Sequence, residues 1–182
     1  MLLAIDTASP YASVAVHDGE RLLAELVWLT KQDHTRTLLP HVQQALADAG
    51  AGVEGLTAVA VALGPGSFNG LRVGLSTAKG LAIARGVSLV GASTLELLAL
   101  EYGADAALNA GRGRMYRRRG GGEIELVEGS VPERVRHAGV LAELGWQRLR
   151  ESRTLDPTHC EPIYVQEPRI TPSRKKAHMQ AA

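Results

Sequence analysis

The segment from residue 61 to residue 82, VALGPGSFNGLRVGLSTAKGLA, constrains the fold of this chain more than any other. Its first residues are continuously apolar, which is typical of a strand buried on both faces. A Gly-Pro-Gly turn leads into a helix rich in small residues, with Ser67 as the expected N-terminal cap. A strand, a tight turn and a helix in this order predict an α/β protein.

The patterns on either side of this segment predict an N-terminal subdomain over residues 1–102. Residues 1–29 alternate as three strands of an antiparallel meander, and a helix with Thr37 as its cap follows at about 36–49. A second helix over 67–85, a short strand and a third helix complete the order β-β-β-α-β-α-β-α. This is the order of the actin-like fold, also called ribonuclease H-like or ASKHA.

The remainder of the chain is predicted to form a shortened C-terminal subdomain over residues 103–168 and a basic tail over 169–182. Three short strands and a partly helical segment are expected in this subdomain, the helical segment with Pro132 near its start. Residues 1–102 carry six Lys/Arg and nine Asp/Glu, whereas the rest carries 14 and 10. This asymmetry indicates two parts with different surfaces.

The composition excludes several classes of protein. Hydrophobic residues make up 45% of the chain and charged residues 21%, as in ordinary globular proteins. The single cysteine, Cys160, excludes an internal disulfide and suits a reducing compartment. The opening MLLAIDTASP lacks the basic residues of a signal peptide, and no apolar run reaches the roughly 20 residues of a membrane helix. We therefore expect a cytoplasmic protein without a membrane span.

One hypothesis for the opening segment is phosphate binding. Its glycines, Gly64, Gly66 and Gly70, fit neither the dinucleotide motif nor a P-loop, but backbone N–H groups at a helix start can hold an anion. Asp6, at the end of the first strand, could help to hold a magnesium–phosphate group in an actin-like fold. The alternative function is therefore an ATP-binding enzyme, an ATPase or kinase, that uses Asp6, Gly64, Gly66 and Ser67.

The other hypothesis is close helix packing, which the spacing favours. Small residues three or four apart form one strip on the helix: Ser67, Gly70, Gly74, Ala78 and Ala82. A glycine inside a helix costs about 1 kcal/mol relative to alanine, so two on one face call for a compensating contact. The spacing does not say whether the contacting helix belongs to this chain or to another.

The remaining chemistry-bearing residues form no recognisable site. His34 and His41 are seven residues apart, not the three or four typical of a helical metal pair. No catalytic Ser/His/Asp or Cys/His pattern is present, so we predict neither catalytic nor metal-binding residues. The arginines between Arg112 and Arg119 and the basic tail suit either nucleic-acid phosphates or a solvated surface.

Five stretches together resemble the TsaB (YeaZ) family: LLAIDTAS, HTRTLLPHV, ALGPGSFNGLRVGLSTAKGLA, LNAGRGRMY and EPIYVQ. The resemblance spans most of the chain and is densest over residues 1–102. It implies an actin-like fold and a part in making threonylcarbamoyladenosine beside the anticodon of tRNA. In that system TsaB is a non-catalytic subunit that binds and activates the catalytic subunit TsaD, and a small ATPase, TsaE, joins them.

The resemblance also implies a partner surface on the first two helices, used for a homodimer or for TsaD. The residues expected there are Leu38, Leu39, Val42, Leu46, Ser67, Gly70, Leu71, Gly74 and Ala78. Contact with tRNA would come through the complex, and any ATP bound would not be turned over by this chain.

Several positions depart from related sequences. Thr94 and Leu98 stand where the catalytic relative has a metal-binding His-x-x-x-His pair, and neither side chain is a normal metal ligand. Asn69 replaces the usual Thr, and Asn109 replaces the usual Asp.

Overall fold

The computed structural model describes residues 1–30, 33–103 and 105–165, which form two β-sheets and four α-helices. The strands and helices are, in chain order, β1 Leu2–Asp6, β2 Tyr11–His17, β3 Leu22–Leu29, α1 His34–Asp48, β4 Ala58–Gly64, α2 Phe68–Arg85, β5 Ser88–Ser93, α3 Thr94–Tyr102, β6 Ala106–Gly111, β7 Arg114–Arg118, β8 Glu125–Glu128 and α4 Ala138–Arg150. A single 3₁₀ turn, Val53–Gly55, precedes β4.

The larger sheet has the strand order β3-β2-β1-β4-β5. The strands of the meander pair antiparallel, whereas β1 pairs parallel with β4 and β4 pairs parallel with β5. The smaller sheet is an antiparallel meander of β6, β7 and β8. The predicted element order and the actin-like α/β fold class are both confirmed.

The two faces of the larger sheet are covered by different helices. On one face, α1 and α2 pack on Leu3, Ile5, Val14 and Val61. The opposite face is lined largely by alanines, and Leu141 and Ala142 of α4 lie against it. Short side chains let α4 approach closely: a Cβ added to Gly145 would lie 3.0 Å from Leu2 Cδ1. Burying a leucine such as Leu141 stabilises the fold by about 1.5–3 kcal/mol.

Two details of the predicted helices are wrong. Helix α1 starts at His34, so Thr37 is not its cap and Pro40 lies inside the helix. The other error concerns Pro132, which lies outside any helix because α4 starts only at Ala138. Helix boundaries depend on where tertiary contacts begin, which sequence patterns locate only within a few residues.

The predicted division of the chain at residue 102 stays a prediction. One helix from beyond it, α4, nevertheless packs on the larger sheet, and only β6, β7 and β8 form a sheet of their own. The basic tail over 169–182 lies outside the described residues.

Candidate functional site

The Gly-Pro-Gly turn between β4 and α2 packs against the loop that follows β1. Ser67 N donates a hydrogen bond of 2.8 Å to Ala8 O, and a Cβ added to Gly66 would overlap that same oxygen. Ser67 Oγ accepts a hydrogen bond of 3.3 Å from Gly70 N, which makes Ser67 the predicted cap of α2. Gly64 has φ +104°, a conformation that favours glycine. The turn therefore packs on the protein's own β1–β2 loop. Phosphate binding at this turn stays a prediction.

The glycines of the small-residue strip face Thr7 in the same loop. A Cβ added to Gly70 would overlap Thr7 O, and one added to Gly74 would overlap Thr7 Oγ1. The Thr7 hydroxyl donates a hydrogen bond of 2.8 Å to Gly70 O, and Ala78 is fully buried in the core. The two glycines that the family resemblance assigned to a partner surface are therefore buried against this chain's own β1–β2 loop. Small residues do permit a close approach, but a loop of the same chain makes it.

Most of the leucine and valine side chains expected at the partner surface are also inside the chain. Leu38, Val42, Leu46 and Leu71 are at most 4% exposed, so their side chains serve mainly the core of this chain. The apolar side of α1 packs on the larger sheet, and Leu71 of α2 is buried in the core. Leu39 differs from them, because 51% of it is exposed.

Helices α1 and α2 leave an open groove between their outer sides. Its volume is about 360 Å³, and its lining residues are His34, Thr35, Leu38, Leu39, Arg72, Val73, Ser76 and Thr77. The His34 ring, itself 7% exposed, forms a hydrogen bond of 3.2 Å with Thr30 Oγ1. This α1–α2 groove is the candidate functional site. It lies on the outer sides of the two helices, whereas Gly70 and Gly74 of the predicted strip face Thr7.

Asp6, the candidate for a magnesium–phosphate contact, lies in a buried ion pair with Arg136. Arg136 Nε and Nη2 donate hydrogen bonds of 2.7 and 2.9 Å to its two carboxylate oxygens, and Ala8 N donates another of 2.9 Å. Both side chains of the pair are 2% exposed. Burial would lower the pKa of Arg136, but the charge of Asp6 and its hydrogen bonds outweigh this and raise it. Arg136, 130 residues away along the chain, had no signal in the sequence.

The arginine cluster is partly neutralised by the neighbouring strand. Arg117 forms a salt bridge of 3.0 Å with Glu125, and Arg114 lies opposite Glu128 in the pairing of β7 with β8. Arg118 donates hydrogen bonds to Gly121 O and Gly122 O. These contacts support the solvated-surface alternative for this part of the cluster.

Among residues 1–30, 33–103 and 105–165, no group of three or more His, Cys, Asp or Glu side chains is placed to hold a metal ion. Thr94 and Leu98, which the family resemblance set against a histidine pair, are both buried. Within the same ranges, no helix is both long and apolar enough to cross a bilayer.

Comparison with known proteins places this geometry in a family. A family model described as TsaD, tRNA N6-adenosine threonylcarbamoyltransferase, matches residues 28–160. The fold is similar to that of YeaZ from Pseudomonas aeruginosa, with a TM-score of 0.76 at 24% identity, covering 90% of this chain and 99% of that one. The class is therefore the actin-like fold of these proteins.

Sequence relatives define the family more narrowly. The chain is 37% identical over 122 residues to the tRNA threonylcarbamoyladenosine biosynthesis protein TsaB of Escherichia coli K12, covering 63% of this chain and 52% of the relative. It is 34% identical over 98 residues to the TsaB of Bacillus subtilis 168, covering 54% and 43%. A tRNA N6-adenosine threonylcarbamoyltransferase of Anaeromyxobacter dehalogenans 2CP-C is 40% identical over 111 residues, covering 52% and 33%.

The chain belongs to the family that the TsaD model describes, and within it to the TsaB (YeaZ) proteins. It spans about half the length of the TsaB relatives and about a third of the transferase.

Proposed function

We propose that this chain is a non-catalytic subunit in the biosynthesis of threonylcarbamoyladenosine in tRNA, and that it binds and activates a TsaD-type catalytic subunit. Its membership of the TsaB family supports the pathway. The observation that carries the partner role is the α1–α2 groove, where Leu39 exposes half of its surface beside Val73. Exposed apolar side chains in a groove between helices are typical of a protein-binding surface.

The residues inside the fold support a role without catalysis by this chain. Asp6, the strand-end carboxylate, is already bound by Arg136. Thr94 and Leu98 supply an alcohol and an alkyl group where a metal site would need imidazole, thiolate or carboxylate. The contribution we propose is mechanical: a rigid pair of helices presents a surface that stabilises the active arrangement of the catalytic subunit.

Three further parts of the proposal come from the family resemblance. A TsaE-like ATPase would join the complex, tRNA would be reached through the complex, and two copies of the chain would pair when the partner is absent. No cofactor is proposed for this chain.

Reconstitution tests the proposal. The chain and the TsaD-type subunit of the same organism are purified, mixed and analysed by size-exclusion chromatography with light scattering. Modification of tRNA is then measured with and without the chain. We expect a complex and at least ~10-fold faster modification when the chain is present, which corresponds to a ΔG‡ lower by about 1.4 kcal/mol.

A charged substitution locates the surface. Leu39→Arg is expected to prevent complex formation without changing the midpoint of urea unfolding, because Leu39 is half exposed. The matched control is Leu100→Arg on α3, since Leu100 is 59% exposed but lies outside the groove. Equal loss in both variants, or full modification without this chain, would contradict the proposal.

The ATP-binding alternative has its own measurement. Titration of the chain with ATP and Mg²⁺ in a calorimeter is expected to give no binding heat, because the Asp6 carboxylate is occupied by Arg136. Binding that Asp6→Ala abolishes would favour the alternative.

A further inference from the structure

β3 forms one edge of the larger sheet and has β2 as its neighbour. A register shift against β2 beside Val16 and His17 interrupts the start of β3, so residues 24–29, with the sequence AELVWL, form its regular part. We call residues 24–29 the β3 edge. Edge strands normally carry lysine, proline or an irregularity that prevents pairing with another sheet. The register shift protects only the start of β3, and the β3 edge contains neither lysine nor proline.

The single charged side chain of the β3 edge is Glu25, and it is bound within the chain. Its Oε1 accepts a hydrogen bond of 2.7 Å from Gly139 N at the start of α4. Because side chains alternate along a strand, Val27 and Leu29 lie on the same face as Glu25. Val27 is 37% exposed and Leu29 is 56% exposed. The β3 edge therefore presents apolar side chains to its surroundings.

The backbone groups of the exposed residues point out of the sheet. Thr30 N donates a hydrogen bond of 2.7 Å to Pro10 O, so these residues occupy a hydrogen-bonded position in the register of β2 with β3. In an antiparallel ladder, such positions alternate with positions whose N–H and C=O groups point to the other side of the strand. The regular register therefore directs the N–H and C=O groups of Glu25, Val27 and Leu29 away from β2.

A second copy of the β3 edge is complementary to the first. Glu25, Val27 and Leu29 are symmetric about Val27, so antiparallel pairing around a twofold axis at Val27 gives hydrogen bonds to all three residues of each copy. Val27 then faces Val27 of the second copy, and on the other face of the sheet Trp28 lies opposite Leu26, which is a favourable aromatic–aliphatic pair. The charges are also compatible, because Glu25 lies opposite Leu29 and no like charges meet.

We infer that the β3 edge pairs with the β3 edge of a second copy of this chain and joins the two larger sheets into one continuous sheet. An interface built around a single strand pair is small, so the association is weak and depends on protein concentration. The pairing uses the edge of the sheet, whereas the proposed function places the TsaD-type subunit in the α1–α2 groove. The inference therefore goes beyond the proposed function and does not depend on it.

Amide hydrogen exchange of the full chain at low and high protein concentration tests the pairing directly. Protection of the Val27 and Leu29 amides is expected to rise with concentration, because their N–H groups become hydrogen-bonded only when two copies pair. The amides of Leu26 and Trp28 point toward β2 and should be protected at both concentrations. Exchange at Val27 and Leu29 that does not change with concentration would overturn the inference.

Substitutions at Val27 test the same pairing by sedimentation equilibrium. Val27→Lys is expected to weaken self-association at least ~10-fold, because the twofold axis places two like charges directly opposite each other. The matched control is Val53→Lys in the 3₁₀ turn, since Val53 is 39% exposed but lies outside β3. Val27→Pro removes an N–H that points away from β2, so it should weaken association while the sheet is retained. The midpoint of urea unfolding checks the fold of every variant.

Leu39→Arg separates the β3 edge from the α1–α2 groove. Self-association that persists in Leu39→Arg and is lost in Val27→Lys supports the inference. Self-association that is lost in Leu39→Arg and kept in Val27→Lys would place the second copy in the groove and overturn it. Equal loss in Val27→Lys and Val53→Lys, or no self-association at any concentration, would also overturn it. The proposed function is tested separately, because Val27 is not part of the groove lining and Val27→Lys should bind the TsaD-type subunit like the unaltered chain.

Discussion

At the scale of single residues, the buried pair of Asp6 and Arg136 shows how a candidate binding residue becomes a structural one. A buried ion pair is often no more stabilising than apolar side chains in its place, but removing one partner costs about 3–5 kcal/mol. The pair joins the end of β1 to the segment before α4. It therefore both occupies the carboxylate and holds a distant part of the chain against the sheet.

Gly74 provides a prediction at this scale. Gly74→Ala is expected to destabilise the fold by about 1–3 kcal/mol, because the new Cβ overlaps Thr7 Oγ1. In a Thr7→Ala background the cost of Gly74→Ala should fall, since the hydroxyl is gone. Gly70→Ala should not be relieved in the same way, because it overlaps the main-chain oxygen of Thr7. Urea unfolding of the single and double variants measures these differences.

Gly80 is the matched control on the same helix. A Cβ added there has no neighbour within 4 Å, so Gly80→Ala is expected to stabilise α2 by about 0.5–1 kcal/mol. If Gly74→Ala leaves stability unchanged but blocks binding of the partner, Gly74 belongs to the interface after all.

At the scale of elements, the segment between β8 and α4 is attached to α3 by three side-chain contacts. Tyr102 Oη donates a hydrogen bond of 2.6 Å to Val135 O, and Arg134 lies over the Tyr102 ring at 4.5 Å. His137, the residue before α4, forms a hydrogen bond of 2.5 Å with Glu101. These contacts direct α4 back onto the larger sheet.

The contact between His137 and Glu101 predicts a pH dependence. The hydrogen bond to Glu101 raises the pKa of His137 above its ordinary value of 6.5, and burial opposes this less strongly. A raised pKa in the folded state means that the stabilisation is complete below about pH 6.5 and is lost as the pH rises through the raised pKa. Because 47% of the His137 side chain is exposed, solvent screening keeps the effect below about 1 kcal/mol.

Urea unfolding between about pH 5.5 and about pH 8.5 measures the stabilisation by the His137–Glu101 contact. The unaltered chain should lose stability over this range relative to His137→Gln, and Glu101→Gln should resemble His137→Gln. A difference between the unaltered chain and His137→Gln that is constant at every pH would contradict the assignment.

At the scale of the whole molecule, one face of the larger sheet depends on a helix from the other end of the chain. Leu141 and Ala142 of α4 cover Leu2, Ala60 and Val90. Without α4 these side chains would be exposed to water, and exposed apolar surface costs about 25 cal/mol of folding free energy per Å². The larger sheet and α4 therefore form one packing unit, although α3 and the smaller sheet lie between them in the chain.

A shortened chain tests this dependence. We expect a chain that ends at residue 102 to lack a cooperative urea transition, because it retains the sheet but loses α4. A chain that ends at residue 165 keeps every described element and should unfold cooperatively. Circular dichroism follows both transitions, and a sharp transition in the shorter chain would show that residues 1–102 fold alone.

The parts of the fold that the sequence predicts are those set by local patterns. Alternation and helical spacing located the strands and helices, and Ser67 was correctly assigned as the cap of α2, because each pattern involves residues close together in the chain. The family resemblance rested on the same continuous stretches. The small residues of α2 also correctly indicated that something approaches this helix closely.

Only the tertiary structure decided which segment packs on α2 and which group pairs with Asp6. Thr7 faces Gly74 and Arg136 pairs with Asp6 across 67 and 130 positions, and no pattern in either segment names its counterpart. The outward position of Leu39 and the burial of Leu38 likewise depend on which side of α1 meets the sheet. The sequence by itself determined the elements and their order, because those follow from local propensity and periodicity. The tertiary structure determined which surfaces are left for a partner, because burial depends on every segment that folds against them.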